Sequence, residues 1–170
     1  MATVPVNGSA VIGADELTVL EEEITDQMIQ AYIDGTQDAR QQLMLEDEDW
    51  ELDLLELDNA LNLVIDGKTY IQRIREGSDP LLVADTETHR MYNTGMFNAI
   101  PRWGHGNIMK TWHTMEDDRV RDTHWFIDGV TVPAESMFYT FDGDYARFPG
   151  DFTSAENNCR CRCTISLSWI

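Results

Sequence analysis

Apolar residues recur at intervals of three and four positions in the first hundred residues, and this period predicts amphipathic helices. The first helix is predicted to begin at Asp15, a residue type that caps helices, and to end at Gly35. Its apolar positions are Leu17, Leu20, Ile24, Met28 and Tyr32. Acidic residues fill the positions between them, so one face of this helix is apolar and the other is charged.

Two further helices are predicted before residue 101. The second runs from Leu43 to the turn at Asp66-Gly67, with apolar positions at Leu43, Trp50, Leu54, Leu57, Leu61 and Ile65. A turn, a cap and a proline suited to a first helical turn follow at 77–80. They predict a third helix over about 80–100, which Pro101 closes. Its predicted inner side consists of Leu81, Ala84, Thr88, Met91, Gly95 and Ala99.

The pattern changes to alternation after Pro101. Residues 107–113 read as a strand with Ile108, Lys110 and Trp112 on one side. A short helix is predicted to open at Asp117-Asp118 and to place Asp118, Arg121 and His124 on one face. The last strand is predicted over 159–169, and its inward side is Cys159, Cys161, Cys163, Ile165, Leu167 and Trp169. The predicted class is α+β, with N-terminal helices followed by a small C-terminal domain of short strands and a helix.

Three segments are predicted within a chain of this length, which is enough for one domain with an arm. Residues 1–13 form a flexible or extended arm, since Pro5, Gly8 and Gly13 interrupt regular structure. Residues 14–79 form an acidic helical segment, and residues 80–170 form an α+β domain. The division at 79 follows from the turn that precedes the third helix.

Negative charge is concentrated in the N-terminal part. Residues 1–66 hold 17 of the 31 acidic residues and one of the 12 basic ones, Arg40. This part should be repelled by DNA, because phosphate contacts need clustered Lys and Arg. It is either a solvated acidic surface or an arm that docks on a basic protein partner.

Membrane insertion and a disulfide framework are both disfavoured. No apolar run approaches the length of about 20 residues that a membrane span needs, and no secretory signal pattern is visible. The three cysteines all lie between 159 and 163, which is unlike an extracellular framework. A reducing cytosol, or a particle assembled there, fits them better.

Several short motifs occur in one order over about residues 80–165, roughly half of the chain. They are Val83 to Gly95 with Thr86-Glu87-Thr88 inside it, Lys110-Thr111-Trp112, Asp118-x-x-Arg121-x-x-His124, Asp128-Gly129, Pro149-Gly150-Asp151, and Asn158-Cys159-Arg160-Cys161. The chain thereby resembles the phage Mu F-like minor head proteins. Each motif is short, but their common order and spacing are specific. The sequence departs from the family pattern at Asp85, where an Arg is usual.

The resemblance implies a virion protein present in few copies in the head of a tailed phage. It implies association with the portal protein or other head proteins at the portal vertex, and assembly in the host cytoplasm. The implied task is head morphogenesis, or the handling of packaged DNA at ejection. Some relatives are fused to toxin domains, and we expect none of that kind here because the chain ends soon after the last motif.

His124, Cys159 and Cys161 either bind zinc or are simply buried side chains. Residues i and i+2 on a regular strand lie about 6.6 to 7 Å apart, whereas two thiolates on one zinc lie at most about 4.6 Å apart. The favoured interpretation is therefore that the cysteines are small buried residues and that the protein carries no cofactor. A disulfide between Cys159 and Cys161 is not expected.

The alternative function is a His/Cys enzyme or a toxin-related domain delivered with the particle. Asp118, Arg121 and His124 could form an acid–base array, and a Cys–His nucleophile is conceivable. No phosphate loop, nucleophile elbow or His-Glu-x-x-His motif accompanies them. The favoured interpretation is structural, with no enzymatic role. Arg121 pairs with Asp118, and Trp112, Arg121, His124 and the cysteine strand pack into one knot.

Contact with packaged DNA is predicted to be weak. Arg147, Arg160 and Arg162 could reach phosphates, and the last two share a strand face. However, residues 67–170 hold 11 basic residues against 14 acidic ones, so no net positive field attracts a duplex.

Overall fold

The computed structural model describes residues 4–6, 10–45 and 51–170. Its helices are α1 (Ala14–Gln42), α2 (Leu54–Leu61), α3 (Tyr70–Arg75), α4 (Pro80–Asn98), α5 (Asp122–Trp125) and α6 (Ala155–Asn158), with a 3-10 helix over Arg102–Asn107. Its strands are β1 (Val4–Val6), β2 (Ala10–Ile12), β3 (Ile108–His113), β4 (Thr131–Pro133), β5 (Phe138–Tyr139), β6 (Tyr145–Ala146) and β7 (Thr164–Trp169). Long helices followed by short antiparallel strands confirm the predicted α+β class. No helix within the described ranges is both long and apolar enough to cross a membrane.

The first helix is longer than predicted. Helix α1 starts after Gly13, whose backbone N–H donates to the Glu16 carboxylate at 3.0 Å, so Asp15 lies in the first turn rather than at the cap. The prediction that the helix ends at Gly35 is wrong, since α1 continues to Gln42. Gly35 is buried against α4 and serves a close helix contact instead of a stop.

The predicted second helix is shorter and begins later. Leu43 is the C-cap of α1, and Trp50 lies outside the described residues. Helix α2 begins only after Asp53, whose carboxylate accepts hydrogen bonds from the backbone N–H groups of Leu55 and Glu56. Ile65 lies beyond α2 in an isolated bridge with Lys68. Helix α3 was not predicted; Thr69 and Gln72 form the capping box that starts it.

Helix α4 begins as predicted, with Asp79 as N-cap and Pro80 in the first turn. Its predicted inner side is only partly correct. Leu81 is 77% exposed, whereas Met91 and Gly95 are buried. The buried residues are Pro80, Val83, Glu87, Arg90, Met91, Asn93, Thr94, Gly95 and Met96. Polar residues occupy much of this buried side, and apolar periodicity alone does not identify them.

Among the described residues, two apolar clusters form the core, and α1 and α4 contribute to both. One lies among α1, α2, α3 and α4 and includes Ile24, Met28, Ile74 and Met91. The other lies against the three-stranded sheet and includes Leu43, Met96, Trp112, Phe138 and Ile165. Helix α1, from the predicted acidic segment, therefore packs along α4, from the predicted C-terminal domain.

The three-stranded antiparallel sheet has the order β4-β3-β7. Lys110 on the central strand stands opposite Val132 on one side and Leu167 on the other. Ile108, Lys110 and Trp112 share the buried side of β3, as the alternation predicted. A small hairpin pairs β5 with β6, and another pairs β1 with β2 in the predicted arm.

The last strand is shorter than predicted. The prediction of a strand from Cys159 is wrong, because β7 begins at Thr164 and α6 occupies the residues before Cys159. Arg160 adopts a left-handed backbone with φ of 54°, which turns the chain between α6 and the strand. Cys161, Cys163, Ile165 and Leu167 are nevertheless buried, whereas Trp169 at the end of the strand is 38% exposed.

Candidate functional site

A buried cluster of His124, Cys161 and Cys163 lies between α5, β3 and the segment that leads into β7. Arg121 is the N-cap of the short helix α5, so His124 falls within its single turn and points inward. His124 is 1% exposed, Cys161 is 4% exposed and Cys163 is 3% exposed. The three side chains therefore meet inside the protein rather than in an open cleft.

The reactive atoms of this cluster converge. The Nδ1 atom of His124 lies 3.3 Å from the Sγ of Cys163 and 3.8 Å from the Sγ of Cys161. All three atoms lie within 4.8 Å of one another. The Nε2 atom of His124 has no hydrogen-bond partner within the described part of the chain. The two sulfurs are thus the polar neighbours that the structure gives this imidazole.

Aromatic rings hold the imidazole in place. The His124 ring stacks on Phe152 with a centroid distance of 5.2 Å and an interplanar angle of 18°. Its edge contact with Trp112 has a centroid distance of 5.6 Å and an angle of 75°. Trp112 itself is fully buried. The ring orientation is therefore fixed by packing on two sides.

The two buried thiols titrate as a pair. A hydrogen bond from Cys163 lowers the pKa of Cys161 well below its usual value, and His124 adds to this effect against the cost of burial. The same hydrogen bond raises the pKa of Cys163, and burial raises it further. The positive charge of Arg121 opposes the rise at Cys163. One negative charge in the pair is favoured, and two close charges are not.

Helix α4 and Arg121 hold the backbone of the cysteine segment. The carbonyl of Cys163 accepts hydrogen bonds from the Nδ2 of Asn93, at 3.2 Å, and is 2.6 Å from the Nε2 of His89. The Thr86 hydroxyl accepts a bond from the backbone N–H of Arg160 at 3.3 Å. Arg121 donates to the carbonyl of Cys159. Several positions of the Val83–Gly95 motif are therefore explained by these backbone contacts.

The Pro149-Gly150-Asp151 turn lies against Arg90 of α4. Gly150 has a φ of 95°, and a Cβ there would approach the Cγ of Arg90 to 2.9 Å. Arg90 pairs with Glu87 at 2.7 Å, and Arg73 approaches the same carboxylate. Asp151 accepts two side-chain hydrogen bonds from Arg147, at 2.8 and 2.9 Å. This motif packs the loop on α4 and lies outside the His–Cys cluster.

The predicted pairing of Arg121 with Asp118 is wrong. Asp118 lies before α5, is exposed, and does not share a helical face with His124. Asp117 forms the ion pair of this region instead, accepting hydrogen bonds from Arg162 at 2.6 and 2.8 Å. These bonds lower the pKa of Asp117 to about 2. The alternative acid–base array of Asp118, Arg121 and His124 is not assembled, since Asp118 lies outside α5.

The residues that converge also differ from the disfavoured zinc set of His124, Cys159 and Cys161. Cys159 is not among the three residues that converge, and Cys163 takes its place beside His124 and Cys161. Cys159 caps α6, and its carbonyl faces Arg121. The prediction applied regular strand spacing to 159–163, where the backbone is not a strand. The adjoining Asn158-Cys159-Arg160-Cys161 motif points to this region without identifying the third cysteine.

A second polar centre was missed from the sequence. The buried Asp144 carboxylate accepts hydrogen bonds from the hydroxyls of Thr153 and Ser154, both at 2.6 Å, and from Asn157 at 2.9 Å. Burial alone would raise the pKa of Asp144, but these hydrogen bonds outweigh it and lower the pKa. Only the Asp142-Gly143-Asp144 turn marks this position in the sequence, and it does not predict burial.

These contacts define a small α+β protein whose motif side chains cross-link short segments around a buried His–Cys cluster. The model of the family described as Phage Mu protein F like protein matches residues 22–166. The chain therefore belongs to the Phage Mu protein F like family, as the order of its motifs predicted.

A relative carries a functional name. The chain is 32% identical over 85 residues to the minor head protein GP7 of Bacillus phage SPP1. The matched part is 49% of this chain and 28% of that protein, so the chain spans less than a third of its relative. No solved structure matches the chain.

Proposed function

We propose that the chain is a minor head protein of a tailed phage, carried in the virion at the portal vertex after assembly in the host cytoplasm. The family membership over residues 22–166 carries this proposal. The name of the SPP1 relative, a minor head protein, supports the same class. Its partners are then the portal protein or neighbouring head proteins, and its task is head morphogenesis or the handling of DNA at ejection.

A structural rather than enzymatic role is supported by the enclosure of the His–Cys cluster. His124, Cys161 and Cys163 are each almost completely buried, so a substrate has no open approach to them. Other motif side chains already form hydrogen bonds within the protein. Arg121 donates to the carbonyl of Cys159, and Asp151 accepts from Arg147. In this proposal the motifs fix the shape that the particle incorporates.

The exposed side of α1 is the proposed docking surface for a basic partner. Glu22, Glu23 and Asp26 lie together on this side and are exposed. Asp34 and Asp38 continue the same charge along the helix, beside a groove between α1 and α4. Complementary charge would speed and orient docking on a basic surface. The opposite side of α1 is committed to the core, which leaves this side for a partner.

Incorporation into particles tests the proposal. In a phage lacking the native gene, complementation with E22Q/E23Q/D26N should lower the copy number of the chain per purified particle several-fold, without changing its melting temperature. Truncation of residues 1–66 is a poor test, because α1 contributes Ile24 and Met28 to the core. Wild-type chain found only free in the lysate would contradict the proposed role.

The matched control neutralises three exposed acids elsewhere on the surface. E116Q/E135Q/E156Q removes the same charge from exposed positions outside the helical segment. Incorporation should stay at the wild-type level. Equal losses in both triple variants would attribute the effect to net charge and would contradict docking through α1.

Any contact with packaged DNA is proposed to be weak and sensitive to salt. Arg147 is held by Asp151 and Arg162 by Asp117, so both guanidinium groups already face carboxylates. Binding of the purified chain to duplex DNA should be lost with modest added salt. Tight binding at physiological ionic strength would contradict this part of the proposal.

A further inference from the structure

The His124–Cys161–Cys163 cluster has the spacing of a metal site. A tetrahedral zinc ion has bonds of about 2.3 Å to sulfur and about 2.0 Å to nitrogen, which place neighbouring ligand atoms about 3.5 to 3.8 Å apart. The Nδ1 atom of His124 lies 3.3 Å from one sulfur and 3.8 Å from the other. Small side-chain adjustments would therefore bring all three donors onto one ion.

The chemistry of the donors selects the metal. Two thiolates and one imidazole form a soft set, which favours zinc over magnesium or calcium. The polar atoms that face the buried Nδ1 of His124 are the two thiols, which are weak hydrogen-bonding groups. A bound cation would give the imidazole and both sulfurs a strong partner at once.

The surroundings hold these donors in position. Phe152 and Trp112 fix the plane of the His124 ring. Asn93 on α4 binds the carbonyl of Cys163, which sets where that residue presents its sulfur. The strand argument against two cysteines on one zinc does not apply, because Cys161 and Cys163 precede β7. Ligands whose orientation is fixed by neighbouring hydrogen bonds and packing are typical of metal sites in proteins.

We propose that His124, Cys161 and Cys163 bind one zinc ion that ties α5 to the segment entering β7. Among the described residues, no fourth His, Cys, Asp or Glu joins this group. We therefore expect a water molecule in the remaining tetrahedral position. The ion would act as a structural cross-link between α5 and the C-terminal strand, and it is independent of which virion partner the chain contacts.

Metal content of the full-length chain tests the site. Protein expressed with added zinc and purified with a phosphine reductant, without chelators, should contain about one zinc per chain by mass spectrometry of the elements. Cobalt in place of zinc should give the thiolate charge-transfer and intense visible bands of a tetrahedral site. Wild-type protein that carries no zinc after this treatment, or a Cys161–Cys163 disulfide in it, would overturn the proposal.

The variants separate the ligand set from general damage to the fold. Cys163→Ser and His124→Ala should each retain less than about a tenth of the wild-type zinc, whereas Cys159→Ser, the matched control, should retain all of it. His124→Cys, which restores a soft donor, should hold more zinc than His124→Ala. If Cys159→Ser loses as much zinc as Cys163→Ser, the proposed ligand set is wrong.

Ligand variants that fail to fold do not block the test, because the wild-type protein supplies a second measurement. Adding a strong zinc chelator to folded wild-type protein should lower its melting temperature, and returning zinc, but not magnesium, should restore it. An identical melting temperature with and without the chelator, in protein confirmed to be metal-free afterwards, would contradict a cross-linking role.

Discussion

Gly35 on α1 and Gly95 on α4 face each other's helix at one close crossing. A Cβ added to Gly35 would lie 2.0 Å from the carbonyl oxygen of Tyr92, and one added to Gly95 would lie 2.1 Å from the carbonyl oxygen of Tyr32. The Thr36 hydroxyl donates to the backbone carbonyl of Tyr32 at 2.9 Å and lies 3.4 Å from the backbone carbonyl oxygen of Gly95. The two backbones can approach this closely because neither position carries a side chain.

Alanine at this crossing should destabilise the protein. Gly95→Ala or Gly35→Ala would force the helices apart, because the contacted atoms belong to the backbone. The expected loss in unfolding free energy is at least about 2 kcal/mol, even though alanine alone favours a helix by about 1 kcal/mol. Urea denaturation followed by circular dichroism measures it.

Gly106→Ala is the control for these variants. Gly106 has open space where its Cβ would be, so its replacement should change the unfolding free energy by less than about 0.5 kcal/mol. If Gly95→Ala were as stable as Gly106→Ala, the close crossing would not exist in solution.

Gly35 also shows where sequence patterns fail. A glycine after an apolar run normally marks the end of a helix, and the local sequence holds nothing that distinguishes a stop from a contact with a distant helix. The partner residue, Gly95, lies 60 positions later in the chain. The role of Gly35 is determined by its contact with α4, and the local sequence pattern contains no information about that contact.

In the candidate site, too, features set by the local sequence were predictable, and features set by contacts between distant residues were not. The alternation that put Trp112 inside β3 is local, and it predicted the burial correctly. Cys163 rather than Cys159 joins His124 because residues 159–163 are not a strand, and Arg160 has a left-handed backbone within them. The contacts of His89 and Asn93 with Cys163 join residues more than 60 positions apart. Only the order of the motifs, which resembles that of the family, predicted that these segments pack together.

Loss of the Glu87 charge should be costly, because this carboxylate is buried between Arg90 and Arg73. Burial alone would raise the pKa of Glu87, but the two guanidinium groups outweigh it and lower the pKa. Glu87→Gln would leave two poorly solvated cations facing an uncharged group. We expect a loss of about 3 to 5 kcal/mol in unfolding free energy, measured by urea denaturation at neutral pH.

An exposed ion pair provides the comparison for Glu87. Glu76 contacts Lys68 at the surface, where both side chains are about half exposed. Glu76→Gln should cost no more than about 1 kcal/mol under the same conditions. Similar losses in the two variants would mean that the Glu87 pairs are solvated in the protein.

Replacing Asp144 should change how stability depends on pH. Its pKa is lowered in the folded protein by hydrogen bonds from Asn157, Ser154 and Thr153, against the effect of burial. A lowered carboxylate pKa stabilises the fold above the unfolded value of about 3.9, and this contribution declines as the pH falls below it. Asp144→Asn should therefore lose about 2 kcal/mol at pH near 7, and less at pH near 3.

Chemical denaturation of both proteins at the two pH values checks this expectation. Asp118→Asn is the control, since Asp118 is an exposed carboxylate outside the cluster. Its stability difference from wild type should stay below about 0.5 kcal/mol at either pH. A gap between wild type and Asp144→Asn that widens toward acid would reverse the sign argued here.

Lys110 should give a pH dependence of the same sign as Asp144, but in the alkaline range instead of the acidic one. Its side chain is fully buried on the central strand, where Nζ donates to the carbonyl of Arg147 at 2.8 Å and lies 5.0 Å from the centre of the Phe97 ring. Burial lowers the pKa of Lys110 to about 8, with a further contribution from the charge of Arg147 and an opposing one from Asp151. The charged form therefore destabilises the fold.

Lys110→Met should remove a specific increase in stability with pH. Between pH of about 8 and the unfolded pKa of about 10.4, the unfolded chain binds more protons than the folded one, so the wild-type unfolding free energy rises with pH. The methionine variant lacks this rise, and its stability relative to wild type should fall by about 3 kcal/mol from pH near 7 to pH near 10.5. Urea denaturation across this range measures the difference.

Lys68→Met, at the other lysine of the chain and about half exposed, should show no such trend. A flat difference between wild type and Lys110→Met would mean that Lys110 stays hydrated and charged in the folded protein.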